Sequence, residues 1–349
     1  MTTVHRIQFE DSRHLAGVDT ESVDQVVTSP PYPMIDMWDE MFGGLNPRIT
    51  EALVDLDADR AFELMHRELD QIWHQIFRVL KPGGMACINI GDAVRTISER
   101  FALYPNHARI LNALTQTGLT ALPGILWRKQ TNAPNKFMGS GMLPPGAYAT
   151  LEHEYILVFR KEPRRNFSTE ALKGNRGASA FFWEERNLWF SDLWTDLKGT
   201  SQEFDEKNAR SRSAAFPFEL PYRLINMFSV KGDTVLDPFA GTGTTLCAAM
   251  AAGRSSIMIE KDASLGAAIL SRTSKIVPEA NTRVKTRLEN HLRFVNERER
   301  GRLPIKYTNS FYGFPVVTRQ EIGLVLDRLE TLEQKADGSL AVHYAAMDL

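Results

Sequence analysis

A chain of 349 residues with 43% hydrophobic and 24% charged side chains suits one large α/β domain with insertions or two ordinary domains, and excludes a disordered or fibrous protein. Its net charge of −2, from 41 Lys and Arg against 43 Asp and Glu, excludes a globally basic nucleic-acid binder, so any such partner must meet a local basic face. The two cysteines, Cys87 and Cys247, sit in apolar runs, which argues against a disulfide scaffold or a Cys-rich zinc site; with no secretory core or membrane-spanning run, a cytoplasmic protein is expected.

From Asp24 the run DQVVT is short, β-branched and bounded by prolines, which predicts a buried strand whose carboxyl end carries Ser29, Pro30, Pro31 and Tyr32. Proline fixes φ, lacks an N–H and extends the residue before it, so the turn is rigid. The Ser29 and Pro30 carbonyls, the Ser29 hydroxyl and the Tyr32 ring become fixed acceptors beside a flat face, suited to a planar ligand with an N–H group. In open α/β sheets, ligands bind outside such strand ends.

After the polar stretch DEMFGGLNPRIT, Leu69, Ile72, Trp73, Ile76, Phe77 and Leu80 mark one face of a helix that KPGG at 81–84 stops. MACINIG at 85–91 reads as a buried strand, 101–117 as a helix and 120–127 as a strand. The irregular RKQTNAPNKFMGSGMLPPGAY that follows is long enough to be functional or mobile, and HEYILVF at 153–159 resumes the sheet. From Arg160 to about Arg212 basic runs alternate with the aromatic cluster FFWEERNLWF; this is either an inserted recognition segment or an excursion with its own small aromatic core. A helix entered through Pro217, strand DTVLD at 233–237, helix TTLCAAMAAG and strand SSIMIE at 255–260 complete a nucleotide-binding βαβ unit. The tail predicts a helix at 319–335 and no function.

The turn DPFAGTGTT, 237–245, lacks the length and the Lys of a phosphate loop, and the Asp237 carboxylate would repel a pyrophosphate. A cationic or neutral ligand is expected there. S-adenosyl-L-methionine fits: its methionyl part is cationic, Gly241 and Gly243 permit close backbone approach, and Glu260 can accept both ribose hydroxyls. The eight histidines are scattered and His153-Glu154 lacks a second His four residues on, so no metal site is expected.

With TSPPY preceding DPFAGTGTT, the chain resembles the β group of amino-group DNA methyltransferases, and HEYILVFRK, AFPFELPYRLI and GRSSIMIEKD are similar to further family segments. The resemblance covers most of residues 5–275. It implies a doubly wound mixed sheet of the class I, Rossmann-like type, with 1–160 and 213–295 forming the methyltransferase domain. Residues 161–212 would be an inserted target-recognition segment and 296–349 an extension without assigned role. Ser29, Pro30, Pro31 and Tyr32 would be catalytic. Asp11, Phe216, Pro217, Asp237, Pro238, Phe239, Gly241, Gly243, Thr244 and Glu260 would bind S-adenosyl-L-methionine, with Asp11 toward the adenine and Phe216-Pro217 flanking the methionyl end. Implied partners are double-stranded DNA, near the nucleoid, and a cognate restriction endonuclease; a homodimer is allowed.

Chemically, an exocyclic amine is a poor nucleophile because its lone pair is delocalised into the ring. Acceptors at Ser29 and Pro30 would draw on its two protons while Tyr32 stacks on the extruded base. C5 chemistry needs a thiolate, and neither cysteine adjoins the proline turn. Within the family, Ser at the first motif position leans toward cytosine N4 and Asp toward adenine N6, so N4-cytosine is expected, with N6-adenine as the alternative. A silent nucleic-acid-binding subunit, an RNA or protein methylase, and a purely structural pair of turns are the other readings.

Overall fold

Short runs of apolar residues with no polar alternation call for strands covered on both faces. The computed structural model, which describes residues 1–129, 138–198 and 216–348, places them in one ten-stranded sheet. Its strands are β1 (Thr2–Phe9), β2 (Val23–Thr28), β3 (Leu80–Ile90), β4 (Thr120–Arg128), β5 (His153–Arg160), β6 (Leu193–Trp194), β7 (Thr234–Asp237), β8 (Ser255–Glu260), β9 (Asp327–Gln334) and β10 (Leu340–Ala346). The order is β6-β4-β5-β3-β2-β7-β8-β1-β10-β9. Strands β3, β2, β7, β8 and β1 are parallel, whereas β5 and β10 oppose their neighbours. This is the expected mixed, Rossmann-like sheet.

Successive strand residues feed different cores, as the two-residue period requires. Val26, Ala86 and Ile88 join the core under helices α1 (Ala58–Val79) and α2 (Asn106–Gln116). Val27, Met85 and Cys87 join the opposite core under α3 (Glu219–Phe228) and α4 (Thr244–Ala251). Helix α1 starts where the Asp57 side chain accepts from the Arg60 N–H, and it buries Leu69, Ile72, Trp73 and Ile76, each worth about 1.5–3 kcal/mol. It ends at Val79, and KPGG is already part of β3. Gly83, at φ 82°, bulges the strand there and donates to the Lys161 carbonyl at 2.7 Å.

Three expectations change. Residues 100–104 are not helical: Arg100–Tyr104 pairs antiparallel with Ala93–Ile97, and the helix begins at Asn106. Part of the irregular stretch, 130–137, lies outside the described residues, while Met138–Gly139 and Ala147–Tyr148 form a small hairpin. The helix expected at 319–335 is a single 3-10 turn, Arg319–Glu321, followed by β9. Strands β9 and β10 form a hairpin that extends the main sheet beside β1. The segment DRLETLEQ is rich in helix formers, yet Leu329 and Leu332 supply an apolar side chain to an edge strand, and packing overrides propensity. Helix α5 (Ile276–Arg300) runs through residue 295 and packs Ala280, Val284 and Leu288 inward.

The segment expected to recognise the target divides in two. Its first part lies at the amino ends of the parallel strands: Arg165 pairs with Asp233 at 2.6 Å, and Asn175 donates to the Lys231 carbonyl at 2.9 Å. The aromatic cluster packs on α5, with Phe182 stacked on His291 at 4.0 Å and the Arg287 guanidinium 5.3 Å from the Trp189 ring. Basic and aromatic residues there satisfy each other, the small-core reading. Only from Leu193 does the chain run back toward the carboxyl ends, with β6 parallel to β4 and the Trp127 indole donating to the Leu197 carbonyl at 3.0 Å. The basic KNARSRS run lies outside the described residues. Among those residues, no helix is long and apolar enough to cross a membrane.

Candidate active site

The chain leaves β2 to build the sheet in one direction and leaves β7 to build it in the other, so the boundary between these strands is a topological switch point. One side chain spans it. The Thr28 hydroxyl donates to Asp237 Oδ1 at 2.5 Å, Phe239 N–H to the same oxygen at 3.0 Å, and the Thr245 hydroxyl to Oδ2 at 2.6 Å. Asp237 is 2% exposed. Burial raises its carboxyl to about 6, and the three donors limit the rise. It is therefore a strut within the protein as well as a buried negative charge beside the glycine turn.

The turn itself reverses through Gly241 at φ 52° and Gly243 at φ 80°, values that favour glycine, and Thr244 opens α4. A Cβ at Gly241 would meet only the Phe239 carbonyl, at 3.9 Å, so the backbone there is open to approach. Glu260, ending β8, accepts from Gly241 N–H at 2.8 Å and Asp262 N–H at 2.9 Å, and burial raises its carboxyl despite these bonds. The Ser12 hydroxyl donates to the Pro238 carbonyl, and Phe239 packs against the α1-side core.

Asp11 follows β1 next to Glu260, since Phe9 pairs with Glu260 across β1 and β8. Burial pushes its carboxyl up, but hydrogen bonds and charge from Arg13, with Lys261, outweigh this and hold it below the usual range. Arg13 bridges Asp11 and the buried Glu68, at 2.8 Å each. Phe216 is buried in the α3-side core, and the Pro217 carbonyl accepts from Leu220 N–H as α3 begins.

The proline turn is held from below. Asn106 is fully buried and donates to the Pro33 carbonyl at 3.1 Å and the Gly91 carbonyl at 3.0 Å, so the segments following β2 and β3 are tied together. Met34 adopts φ 66°, and Ile35 N–H returns to the Tyr32 carbonyl at 3.3 Å. Ser29 is half-buried, and no donor among the described residues reaches the Pro30 carbonyl.

Tyr32 is only 6% exposed, so its ring is more enclosed than a free stacking platform. One side lies over Gly91, where a Cβ would stand 2.9 Å from Tyr32 Cε2. Its hydroxyl donates to Glu154 at 2.9 Å and receives Asn89 Nδ2 at 3.0 Å, with Ser29 Oγ 3.1 Å away. Burial, then the Glu154 charge, raises the phenol well above its ordinary value. Glu154 also accepts from Asn89 at 2.7 Å and Lys129 at 2.8 Å.

Thr28, Asn89, Gly91, Asn106, Lys129, Glu154 and Thr245 were not legible as site residues. The available signal was a polar residue inside an apolar strand: Asn89 in β3 and Glu154 in β5. Cys87 and Cys247 are buried in the α3-side core, and burial pushes both thiols up to about 12, far from a nucleophilic state. Among the described residues, no group of three or more His, Cys, Asp or Glu is placed to hold a metal ion.

Known proteins resemble this chain in sequence and in fold. A family model for N6 and N4 enzymes, described as DNA methylase, matches residues 23–269. The Type II methyltransferase M.MthZI of Methanothermobacter thermautotrophicus is 52% identical over 322 residues, 92% of this chain and 89% of that protein. M.MjaI of Methanocaldococcus jannaschii, also a Type II methyltransferase, is 48% identical over 276 residues, 76% of this chain and 89% of that protein. TTHA0409 of Thermus thermophilus, described as a putative DNA modification methylase and solved with S-adenosyl-L-methionine, superposes with a TM-score of 0.61 at 33% identity, covering 79% of this chain and 95% of that one.

Proposed function

We propose, starting from the N6/N4 DNA methylase family to which this chain belongs, that it moves a methyl group from S-adenosyl-L-methionine to the exocyclic N4 amine of a cytosine extruded from double-stranded DNA. The observation that carries the reading is the Thr28–Asp237 hydrogen bond of 2.5 Å, which joins the strand ends bearing the proline turn and the glycine turn. A reaction between a bound cofactor and a planar amine needs these two turns to be neighbours, and they are 209 residues apart in sequence.

The residues at the glycine turn fit the cofactor. The backbone at Gly241 is open, Glu260 keeps acceptor capacity beyond its backbone N–H partners, and Asp237 puts negative charge beside a cationic ligand. When bound, S-adenosyl-L-methionine supplies an electrophilic methyl group on a sulfonium. Asp11, at the adjoining strand end, is assigned to the adenine side, and Phe216-Pro217 to the methionyl side. At the proline turn, Ser29 Oγ and the Pro30 carbonyl accept hydrogen bonds from the two amine N–H groups. The nitrogen lone pair is thereby released from the ring and directed along the line of displacement. The nitrogen, cationic once methylated, releases one of those protons to water. Tyr32 bounds the base by one edge of its ring, since its body is enclosed and its hydroxyl engaged.

Cytosine is favoured by Ser29 at the position where an adenine enzyme of this family tends to carry Asp. Tyr32 is nearly buried and Ser29 half-buried, and an amine paired within a duplex cannot reach groups so enclosed, which supports extrusion of the base. Target recognition is assigned to the part of 161–212 from Leu193 onward, whose described start, Leu193–Trp194, runs toward the carboxyl ends of the strands. Type II naming of M.MthZI and M.MjaI supports a cognate restriction endonuclease as the biological partner.

Nucleoside mass spectrometry of DNA from a methylation-deficient host expressing the chain tests this. N4-methylcytosine is expected. N6-methyladenine would keep the chemistry and overturn the base assignment, and neither product would favour an RNA substrate or a silent binding subunit.

A further inference from the structure

The three polar groups at the Tyr32 hydroxyl, Ser29, Asn89 and Glu154, fix the direction of the hydrogen bond at the proposed nucleophile-activating hydroxyl. Glu154 is 7% exposed and receives Lys129 Nζ at 2.8 Å and Asn89 Nδ2 at 2.7 Å. A carboxylate so placed can only accept. The single proton of the Tyr32 hydroxyl is therefore given to Glu154, at 2.9 Å. Asn89 Nδ2, which only donates, also lies 3.0 Å from the Tyr32 oxygen and offers no acceptor for the tyrosine proton.

The Tyr32 oxygen has no proton left, yet it lies 3.1 Å from Ser29 Oγ. The proton in that contact must come from serine. Ser29 thus spends its own hydrogen on Tyr32 and presents only lone pairs to whatever occupies the turn. An amine N–H needs such an acceptor, whereas a serine free to rotate could point its proton at the amine and oppose binding. We propose that Glu154 is a positioning residue that, through Tyr32, locks Ser29 as a hydrogen-bond acceptor for the target amine. The inference rests on the amine-methylation reading above and adds to it what sets the polarity of the Ser29 hydroxyl. It also gives a role to the tyrosine hydroxyl, which bounding the base with the ring alone does not require.

Glu154→Gln separates polarity from shape. The new amide must turn its oxygen to Lys129, which only donates, and so offers N–H to Tyr32. The tyrosine proton is then displaced toward Ser29, and Ser29 loses its acceptor role. Tyr32→Phe breaks the same chain one link later with little change of volume.

The experiment is a double-mutant cycle in single-turnover methyl transfer to duplex DNA, with S-adenosyl-L-methionine affinity and DNA affinity measured alongside. Each single variant is expected to slow transfer by about 10- to 100-fold with both affinities within about twofold of wild type. The double variant is expected to be no slower than the slower single variant, because both changes cut one chain of bonds. Effects that multiply, or a Glu154→Gln variant within about twofold of wild-type rate, overturn the proposal. If Glu154→Gln fails to fold, Tyr32→Phe decides: an unchanged transfer rate overturns it, and a slowed rate with intact affinities supports it. Wild-type protein that methylates no DNA refutes the functional reading together with this inference, whereas an active wild type with multiplying variants overturns the inference alone.

Discussion

Replacing Thr28 by Val removes one donor from the Asp237 carboxylate while keeping the shape of a fully buried side chain. A hydrogen bond to a charged buried acceptor is worth roughly 1.5–3 kcal/mol, and to a neutral one roughly 1 kcal/mol. Which value applies depends on pH. The native carboxyl titrates at about 6 and its ordinary value is 3.8, so the folded state keeps a proton that the unfolded chain has released between those values. This raised pKa adds stability that is complete below about 4 and is lost as pH rises through about 6. Loss of the Thr28 donor, which stabilises the ionised form, deepens that loss. Thr28→Val is therefore expected to destabilise the fold by about 2 kcal/mol at pH 8 and about 1 kcal/mol at pH 5. Urea unfolding of both proteins, followed by tryptophan fluorescence at the two pH values, measures the difference. A penalty below about 0.5 kcal/mol at pH 8, or one that does not change with pH, would refute the strut.

Gly91→Ala tests the seat of Tyr32: the added Cβ would lie 2.9 Å from the ring and 3.4 Å from Glu154 Cγ, so methyl transfer is expected to fall at least tenfold while unfolding shifts by about 1–2 kcal/mol. Wild-type activity in that variant would show that the ring has room to move. Ser29→Ala should retain S-adenosyl-L-methionine binding by calorimetry and lose transfer by about 10²-fold or more; undiminished turnover would defeat the acceptor assignment. Neutralising Arg164 and Arg176, both exposed in the part of the chain at the amino ends of the strands, should leave the salt dependence of DNA binding unchanged. Neutralising Lys198, Lys207, Arg210 and Arg212 should flatten the slope of log K against log salt by about 0.9 for each phosphate contact removed, and the reverse pattern would move recognition to the first part of the segment.

The strands that carry the two turns were legible because each is a short buried run with an apolar pair, VV in β2 and VL in β7, the first bounded by prolines and the second ended by an acid. The glycine turn was legible because its left-handed residues leave glycine as a trace. What failed did so for tertiary reasons. Strand β9 is built from helix-forming residues, and only its place beside β10 makes it extended. The tryptophans of 183–189 look like a nucleic-acid face until α5 is seen to cover them. Glu154 lies 122 residues from Tyr32, and nothing local announces that its carboxylate ends on that hydroxyl. Long-range partners of this kind have no period and no spacing to read.

The same separation argues that the site depends on strand adjacency and not on chain order. Each half of the sheet is built outward from the switch point, and the halves meet through β2 beside β7. The chain ends already lie together, with Thr2 opposite His343 and the amino terminus 3.3 Å from the Tyr344 carbonyl. A permuted chain, joined by a short flexible linker from residue 349 to residue 1 and opened between 199 and 215, would put the glycine turn before the proline turn. It keeps every contact described around Asp237, Glu260 and Tyr32. Such a permutant is expected to unfold in one cooperative transition and to bind S-adenosyl-L-methionine within about threefold of the wild-type affinity, a change of about 0.6 kcal/mol. Calorimetry reads both. A folded permutant with cofactor affinity lowered a hundredfold would mean that chain connectivity, and not the hydrogen-bonded strut between β2 and β7, sets the geometry of the turn.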